Sequence, residues 1–258
     1  MRESDVLLSE QTGSLLFLTM NRPKVNALNL DLNKALQAAF QQAGRDPVVR
    51  CIVLTGSGNV FSAGQDIGEV KSNEGASYRA HLQRTYNPLI LLIRRLEKPV
   101  IAALNGVVSG AALGIALACD LRIASESARF VVGFAGIGLV PDSAVSLLLP
   151  SLIGLGRASE AAFLNSPISA QKALDWGLVN RVVPGAELHS EAAAWAAQLA
   201  SGPIRSLGLT KRSFNTAVLG NLEQVLDYEA HLQEIAGKGA EHKEGISAFL
   251  EKRTPNFL

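Results

Sequence analysis

The sequence predicts an α/β fold with mostly parallel strands and a helix-rich C-terminal third. Three observations carry this. Strand and helix signals alternate through the first half of the chain. Two apolar runs, 48–56 and 99–104, are continuous rather than alternating, as strands covered on both faces are. From residue 142 onward the signals are mainly helical.

In chain order, residues 5–9 and 14–20 read as a hairpin turning around Gln11-Thr-Gly13. Asn29 is placed to cap a helix from about residue 30 to 43, with Leu30, Leu32, Leu36, Ala39 and Phe40 on one face and Gly44 at its end. The strand 48–56 follows, then a glycine-bearing loop, 56–68, then one helix over 78–96. The strand 99–104 precedes two short ones at 120–124 and 129–132. Helices are expected at 142–152, 156–164, 169–176, 186–201, 203–217, 221–238 and 241–252, interrupted by a strand at 178–183. No internal repeat is visible by eye.

At 258 residues the chain is long enough for one large domain or a domain with an appended subdomain. Hydrophobic residues make up 48% and charged residues 18%, and the net charge is +1. That balance supplies a sizeable core but no field for nucleic acid or an anionic membrane. Cys51 and Cys119 lie in apolar runs and read as buried free thiols, without disulfide or metal spacing. Residues 100–119 carry no charge, but Asn105, Ser109 and three glycines favour a buried strand and helix over a membrane span. The opening residues, Met1-Arg-Glu-Ser-Asp5, contain no signal-peptide apolar stretch, so a cytoplasmic protein is expected.

Two glycine-bearing turns are the candidate chemistry. Phe61-Ser-Ala-Gly-Gln-Asp-Ile67 follows the first buried strand, and Asn105-Gly-Val-Val-Ser-Gly-Ala-Ala-Leu-Gly114 follows the second and opens an apolar helix. Gly64 lets the first of them turn tightly, the second frees backbone N–H groups at a helix start, and two converging N–H donors make an oxyanion hole. Sequence alone does not bring them together.

These two segments resemble the signature of the crotonase, or enoyl-CoA hydratase/isomerase, superfamily. So do Asn26-Ala-Leu-Asn29, Lys98-Pro-Val-Ile-Ala-Ala-Leu-Asn105, Ala118-Cys-Asp-Leu-Arg122, Gly138-Leu-Val-Pro-Asp142 and Ala173-Leu-Asp-Trp-Gly-Leu-Val-Asn180, in the same order along nearly the whole chain. The resemblance implies a spiral of ββα turns over residues 1–195 and a helical C-terminal trimerisation region over 196–258. It implies a homotrimer or dimer of trimers acting on acyl-CoA thioesters, with no cofactor beyond the coenzyme A of the substrate and no metal. By position, the oxyanion donors are the Gln65 and Ala111 amides, and Gly110 permits close approach. Backbone around Ala63, Asp66 and Ile67 is where the adenine end of coenzyme A is expected. Arg22 and Lys24 read equally as solvated charges and as phosphate partners. Tyr86 is either a core aromatic or part of the acyl pocket. Phe249 and Lys252, on the last helix, either reach coenzyme A, across a subunit boundary, or are plain core and surface.

The reaction depends on carboxylates. Hydratases of this superfamily bracket a water with two glutamates; here those positions read Gly114 and Phe134. One acid remains where isomerases of the superfamily place theirs, Asp142, which also suits a helix N-cap. A single base can move a proton between two carbons, so the expected reaction is a 3-enoyl- to 2-enoyl-CoA shift. Val140, Phe134 and Leu139 are expected to raise the pKa of Asp142. Segments such as Thr85-Tyr-Asn-Pro-Leu89 and Phe130-Val-Val-Gly-Phe134 are similar to the isomerase group that opens ring-1,2-epoxyphenylacetyl-CoA. Ser143-Ala-Val145 departs from the Cys-Gly-Gly-like stretch of that group and leaves the acyl group open. The alternatives are a hydratase with an unusual site and a non-catalytic scaffold binding acyl-CoA or RNA; the near-neutral charge weakens the RNA version. His81, His189, His231 and His242 fall in polar helical segments and read as solvent-facing, with His81 the least safe to set aside.

Overall fold

The strands form two sheets, and through the middle of the chain they alternate between them. An antiparallel hairpin, β1 (Leu7–Thr12) and β2 (Leu15–Met20), begins the larger sheet. The computed structural model describes residues 6–72 and 77–258; residue 5, assigned above to the first strand, lies outside them. The hairpin turns at Gly13 and Ser14, the far end of the expected turn, because Gly13 supplies the left-handed φ of +59°, and the first strand runs on to Thr12. Helix α1 (Leu30–Arg45) follows. Asn29 caps it, its side chain accepting from the Leu32 N–H at 3.0 Å. Gly44 does not end this helix: it stays helical through Arg45 and stops at Asp46, the residue before Pro47.

Three strand pairs then stack as turns of a spiral: β3 (Cys51–Gly56) with β4 (Val60–Ser62), β5 (Val100–Leu104) with β6 (Val107–Ser109), and β7 (Leu121–Ser125) with β8 (Arg129–Val131). The first strand of each pair joins the larger sheet in parallel, and the second strands pair in parallel with one another in a smaller sheet. Helices α2 (Ile67–Ser72), α3 (Tyr78–Arg84) and α4 (Tyr86–Arg95) follow the first turn, and α5 (Ala111–Ala118) the second. The repeat is therefore one of backbone path, with unequal connections that hide it in the sequence. The expected single helix over 78–96 is two, broken at Thr85, whose ψ of −81° leaves the helical region.

The central strands are apolar throughout because both faces are covered. Ile52, Leu54, Ala102 and Leu104 face the main core, while Cys51, Val53, Ile101 and Ala103 meet Leu188, Ala192, Ala196 and Ala200 of a later helix. Both cysteines are buried and free. Residues 100–119 form β5, β6 and α5 inside this core, and no helix among the described residues is long and apolar enough to cross a membrane.

The remainder is α6 (Val145–Ile153), α7 (Leu155–Leu164), β9 (Ile168–Ser169), α8 (Ala170–Asp175), β10 (Arg181–Val183) and helices α9 (Leu188–Ser201), α10 (Ile204–Val218), α11 (Leu222–Gly237) and α12 (Ala240–Glu251). The short strands β4, β6 and β9 and the helix α2 have too little periodicity to be seen in the sequence.

Neighbouring spiral turns are stitched by the half-buried side-chain amide of Asn105. Asn105 donates to the Gly56 and Gly58 carbonyls, both at 2.8 Å, and accepts from the Gly56 N–H at 3.3 Å. Asn105→Ala removes this stitch and leaves backbone groups unpaired, so it is expected to lower stability by about 2 kcal/mol in urea unfolding.

Candidate functional site

The two glycine turns meet. A Cβ on Gly64 would lie 2.7 Å from the Ser109 carbonyl oxygen and 3.6 Å from the Gly110 Cα. Gly64 and Gly110 both have positive φ, +89° and +57°. Only glycine combines that backbone with such an approach. The next residue in each turn is Gln65 and Ala111. Around Gln65, the Leu28 N–H donates to the Gly64 carbonyl and the Asp66 N–H to the Leu28 carbonyl. The Gln65 N–H itself has no acceptor among the described residues. Ala111 is the first residue of α5, where helix geometry leaves N–H groups without intrahelical partners.

A third loop closes over this junction. A Cβ on Gly133 would lie 2.8 Å from Ser109 Oγ and 3.4 Å from the Gly110 nitrogen. Phe134 beside it is buried and begins a short 3-10 turn, Ala135–Ile137. The fourth loop carries Asp142. A Cβ on Gly114 would lie 2.3 Å from the Ser143 carbonyl oxygen and 2.6 Å from the Ser143 Cβ. The Asp142–Ser143 turn thus sits directly on the first turns of α5. The space that a side chain at 114 would need is filled by this turn.

Asp142 is 2% exposed, yet it is not the N-cap of α6. Ser143 and Ala144 both take left-handed φ, 56° and 63°, and Ala144 occupies the cap position without a capping side chain. Two consecutive non-glycine residues in that region cost on the order of 1–3 kcal/mol each and persist only where the surroundings enforce them. Here Glu229 of α11 enforces them, its carboxylate accepting from the Ala144 N–H at 2.8 Å and the Ser146 N–H at 3.0 Å. It also accepts from the Ser146 hydroxyl. An acid from another helix therefore caps α6 and frees Asp142 to point elsewhere.

The Asp142 carboxylate accepts from Ser143 Oγ at 2.7 Å on Oδ1 and from Gln233 Nε2 at 2.8 Å on Oδ2. Burial pushes its pKa up to about 6, against the lowering effect of these two bonds. This agrees in direction with the sequence expectation. Burial likewise raises Glu229 to about 7, with the nearby Asp142 charge adding to the rise. Tyr78 is raised to about 12 and Tyr86 well above its ordinary value, chiefly by burial and then by the Asp142 charge.

Of the other expected residues, Tyr86 is fully buried at the start of α4, near Asp142 and the Asn33 side chain, with a hydroxyl that meets no partner in hydrogen-bond geometry among the described residues. His81 packs edge-on against it at 5.5 Å. Arg22 is held by Asp66 at 2.9 Å, and Asp66 also caps the start of α2 through the Gly68 N–H. Ala63 and Lys24 are exposed, and Ile67 is half-buried. Phe249 and Lys252 are exposed on and just after α12, and do not join Asp142 within one chain. His189 and His231 are exposed, as expected, but His242 is not. Its ring bridges Tyr78 Oη at 2.6 Å and the Ile137 carbonyl at 2.7 Å, clamping α12 onto the 3-10 turn. His81 is half-buried and also departs from the solvent-facing expectation.

Glu229 and Gln233 escaped sequence reasoning. The signal was present: both fall within the buried stripe of α11, with Leu222, Leu226 and Ala230, where an amphipathic helix ordinarily carries apolar side chains. No group of three or more metal-ligating side chains occurs among the described residues. A cavity of about 460 Å³ lies elsewhere, between α4 and α10, and its Arg94 and Lys211 are both paired with Asp120.

A family model described as enoyl-CoA hydratase/isomerase matches residues 10–258. The chain is 38% identical to the 1,2-epoxyphenylacetyl-CoA isomerase of Escherichia coli (strain K12), with 98% of each chain covered. It is 39% identical to a probable enoyl-CoA hydratase of Rhodobacter capsulatus over 96% of each. The crystal structure of an enoyl-CoA hydratase from Mycobacterium avium subsp. paratuberculosis K-10 matches with a TM-score of 0.89, at 34% identity and 98% coverage of each chain. With the spiral of strand pairs and the two converging glycine turns, these matches show that the chain belongs to the enoyl-CoA hydratase/isomerase family.

Proposed function

We propose that the protein is an acyl-CoA isomerase that converts 3-enoyl-CoA to 2-enoyl-CoA, with Asp142 as the single acid and base. The observation that carries this reading is the turn at 142–144. It presents one buried carboxylate beside α5 and fills the space that a side chain at position 114 would need.

The Gln65 and Ala111 N–H groups hold the thioester oxygen. Ionised Asp142 removes a proton from C2, and the C–H electron pair moves through the thioester to its oxygen, giving a dienolate. Protonated Asp142 then returns the proton at C4, which leaves the double bond between C2 and C3 and regenerates the carboxylate. Each preorganised N–H donor contributes about 3–4 kcal/mol of transition-state stabilisation. A carboxyl group near pKa 6 suits both halves of the transfer better than an ordinary one, because it gives the proton up as readily as it takes it. Gly114 and Phe134 offer no group to activate a water, which favours isomerisation over hydration.

The similarity to the Escherichia coli relative supports ring-1,2-epoxyphenylacetyl-CoA as a further substrate to test. Coenzyme A is met by backbone at 63–67, with Arg22 and Lys24 at the rim. Exposed apolar side chains on the C-terminal helices, among them Leu209, Phe214, Tyr228, Ile235 and Phe249, support assembly into a trimer or a dimer of trimers.

Asp142→Asn is expected to lower kcat for 3-enoyl-CoA isomerisation by roughly 10²–10⁴-fold while acyl-CoA binding, followed by calorimetry, stays intact. Retained turnover would remove Asp142 from the chemistry. In the wild type, kcat is expected to fall as pH drops through about 6, with the slope of one proton, since the ionised form starts the reaction. The same variant reports on stability. The native state binds the Asp142 proton more tightly than the unfolded chain, so the ionised carboxylate costs stability above about pH 6. Thermal unfolding at pH 8 should show Asp142→Asn more stable than the wild type, with the advantage shrinking as pH falls toward 4.

A further inference from the structure

We propose that Gln233 is a positioning residue that locks Oδ2 of Asp142 as an acceptor and thereby assigns the transferred proton to Oδ1. The proposal rests on the reading of Asp142 as the acid and base.

The orientation of the Gln233 amide is fixed by a group that has no choice. The Val140 backbone N–H can only donate, and it meets Gln233 Oε1 at 3.2 Å. The amide nitrogen must then be the atom facing Asp142, and it lies 2.8 Å from Oδ2. An amide nitrogen donates and does not accept. A proton placed on Oδ2 in that direction would confront another proton, so Oδ2 remains an acceptor in both states of the carboxyl group. Turning the amide over to accommodate it would forfeit the Val140 bond and set two donors face to face.

Oδ1 differs. Its partner, Ser143 Oγ at 2.7 Å, is a hydroxyl that donates to the carboxylate and can accept from the acid. Only Oδ1 has a neighbour suited to both protonation states. During the reaction, Oδ1 takes the C2 proton and returns it at C4, while Oδ2 stays held. Both fixed points lie on one loop, since Gln233 grips Val140 and Asp142 from α11. One turn earlier on the same helix, Glu229 holds Ala144 and Ser146. The pair at i and i+4 therefore sets the loop on both sides of the carboxyl group.

The other ionisable groups facing Asp142 are Glu229 from α11, Tyr78 from α3 and Tyr86 from α4. The tyrosines are neutral near pH 6, whereas Glu229 changes charge near that range, as does His81 behind Tyr86, whose pKa burial lowers from its ordinary value. Glu229 is one turn away from Gln233 and unaltered by the test.

Gln233→Met keeps the shape of the side chain and removes the donor. It is expected to lower kcat roughly tenfold or more with KM changed less than about twofold, and to move the acid limb of kcat upward by about one pH unit, because the ionised carboxylate loses a hydrogen bond. Gln233→Glu retains the shape and an oxygen for Val140 but faces Oδ2 with a second carboxyl group, and it should raise the limb further. A merely structural role would lower the unfolding temperature without moving the limb, so an unmoved limb in either folded variant overturns the proposal. Asp142→Asn, assayed alongside, separates the two ideas. If that variant turns over normally, the assignment of Asp142 itself has failed; if it is inactive and the Gln233 limbs stay put, only the role of Gln233 has.

Discussion

Adjacent turns of the spiral touch backbone to backbone, and the rest of the structure depends on that contact. At Gly106 a Cβ would lie 1.9 Å from the Asn59 carbonyl oxygen of the turn before, and within that first turn a Cβ on Gly56 would lie 2.3 Å from the Val60 and Phe61 carbonyl oxygens. Gly64, Gly114 and Gly133 repeat the pattern closer to Asp142. Side chains would hold these segments some ångströms further apart. Without them, the loops at 64 and 133 close on Gly110, and the loop at 143 closes on Gly114. A site built from backbone in this way is rigid, because each donor is fixed by the sheets and helices on either side of it.

The second layer is a helix that comes late in the chain. α11 packs on α3 and reaches the 140–146 loop through Glu229 and Gln233. Buried polar side chains cost free energy unless they are fully paired, and here both are paired with the same loop. Their hydrogen bonds hold two left-handed residues in place and aim Asp142 away from the helix it precedes. His242 and Tyr78 add a further clamp between α12, α3 and the turn at 135–137. The cost of burying two carboxyl groups near one another shows in their raised pKa values, a local instability that the surrounding core supports.

The family relationship and the local geometry answer different questions. Relatives named as isomerases and as hydratases match this chain equally well along its length, so the scaffold does not choose the reaction. The choice falls to the few side chains that the loops present. At position 114 the polypeptide of residue 143 fills the room a catalytic side chain would occupy. The absence of an acid there is thus a packing requirement of this particular turn, coupled to the presence of the acid at 142.

The sequence by itself determined the fold class, the buried parallel strands, the cap at Asn29 and the position of the lone aspartate. These are local properties: apolar continuity, helical period, a capping residue before a helix, a glycine after a strand. Tertiary structure decided the rest. The spiral was implied by the family resemblance and not by any repeat in the residues, because its turns share a backbone path while their connections differ in length. The break at Thr85 and the late turn at Gly13 and Ser14 depend on backbone angles that no pattern of side chains announced. The convergence of the 64 and 110 turns required knowing which strands are neighbours. Glu229 and Gln233 stand about ninety residues beyond Asp142, so only the packing of α11 against the loop could reveal them as its partners.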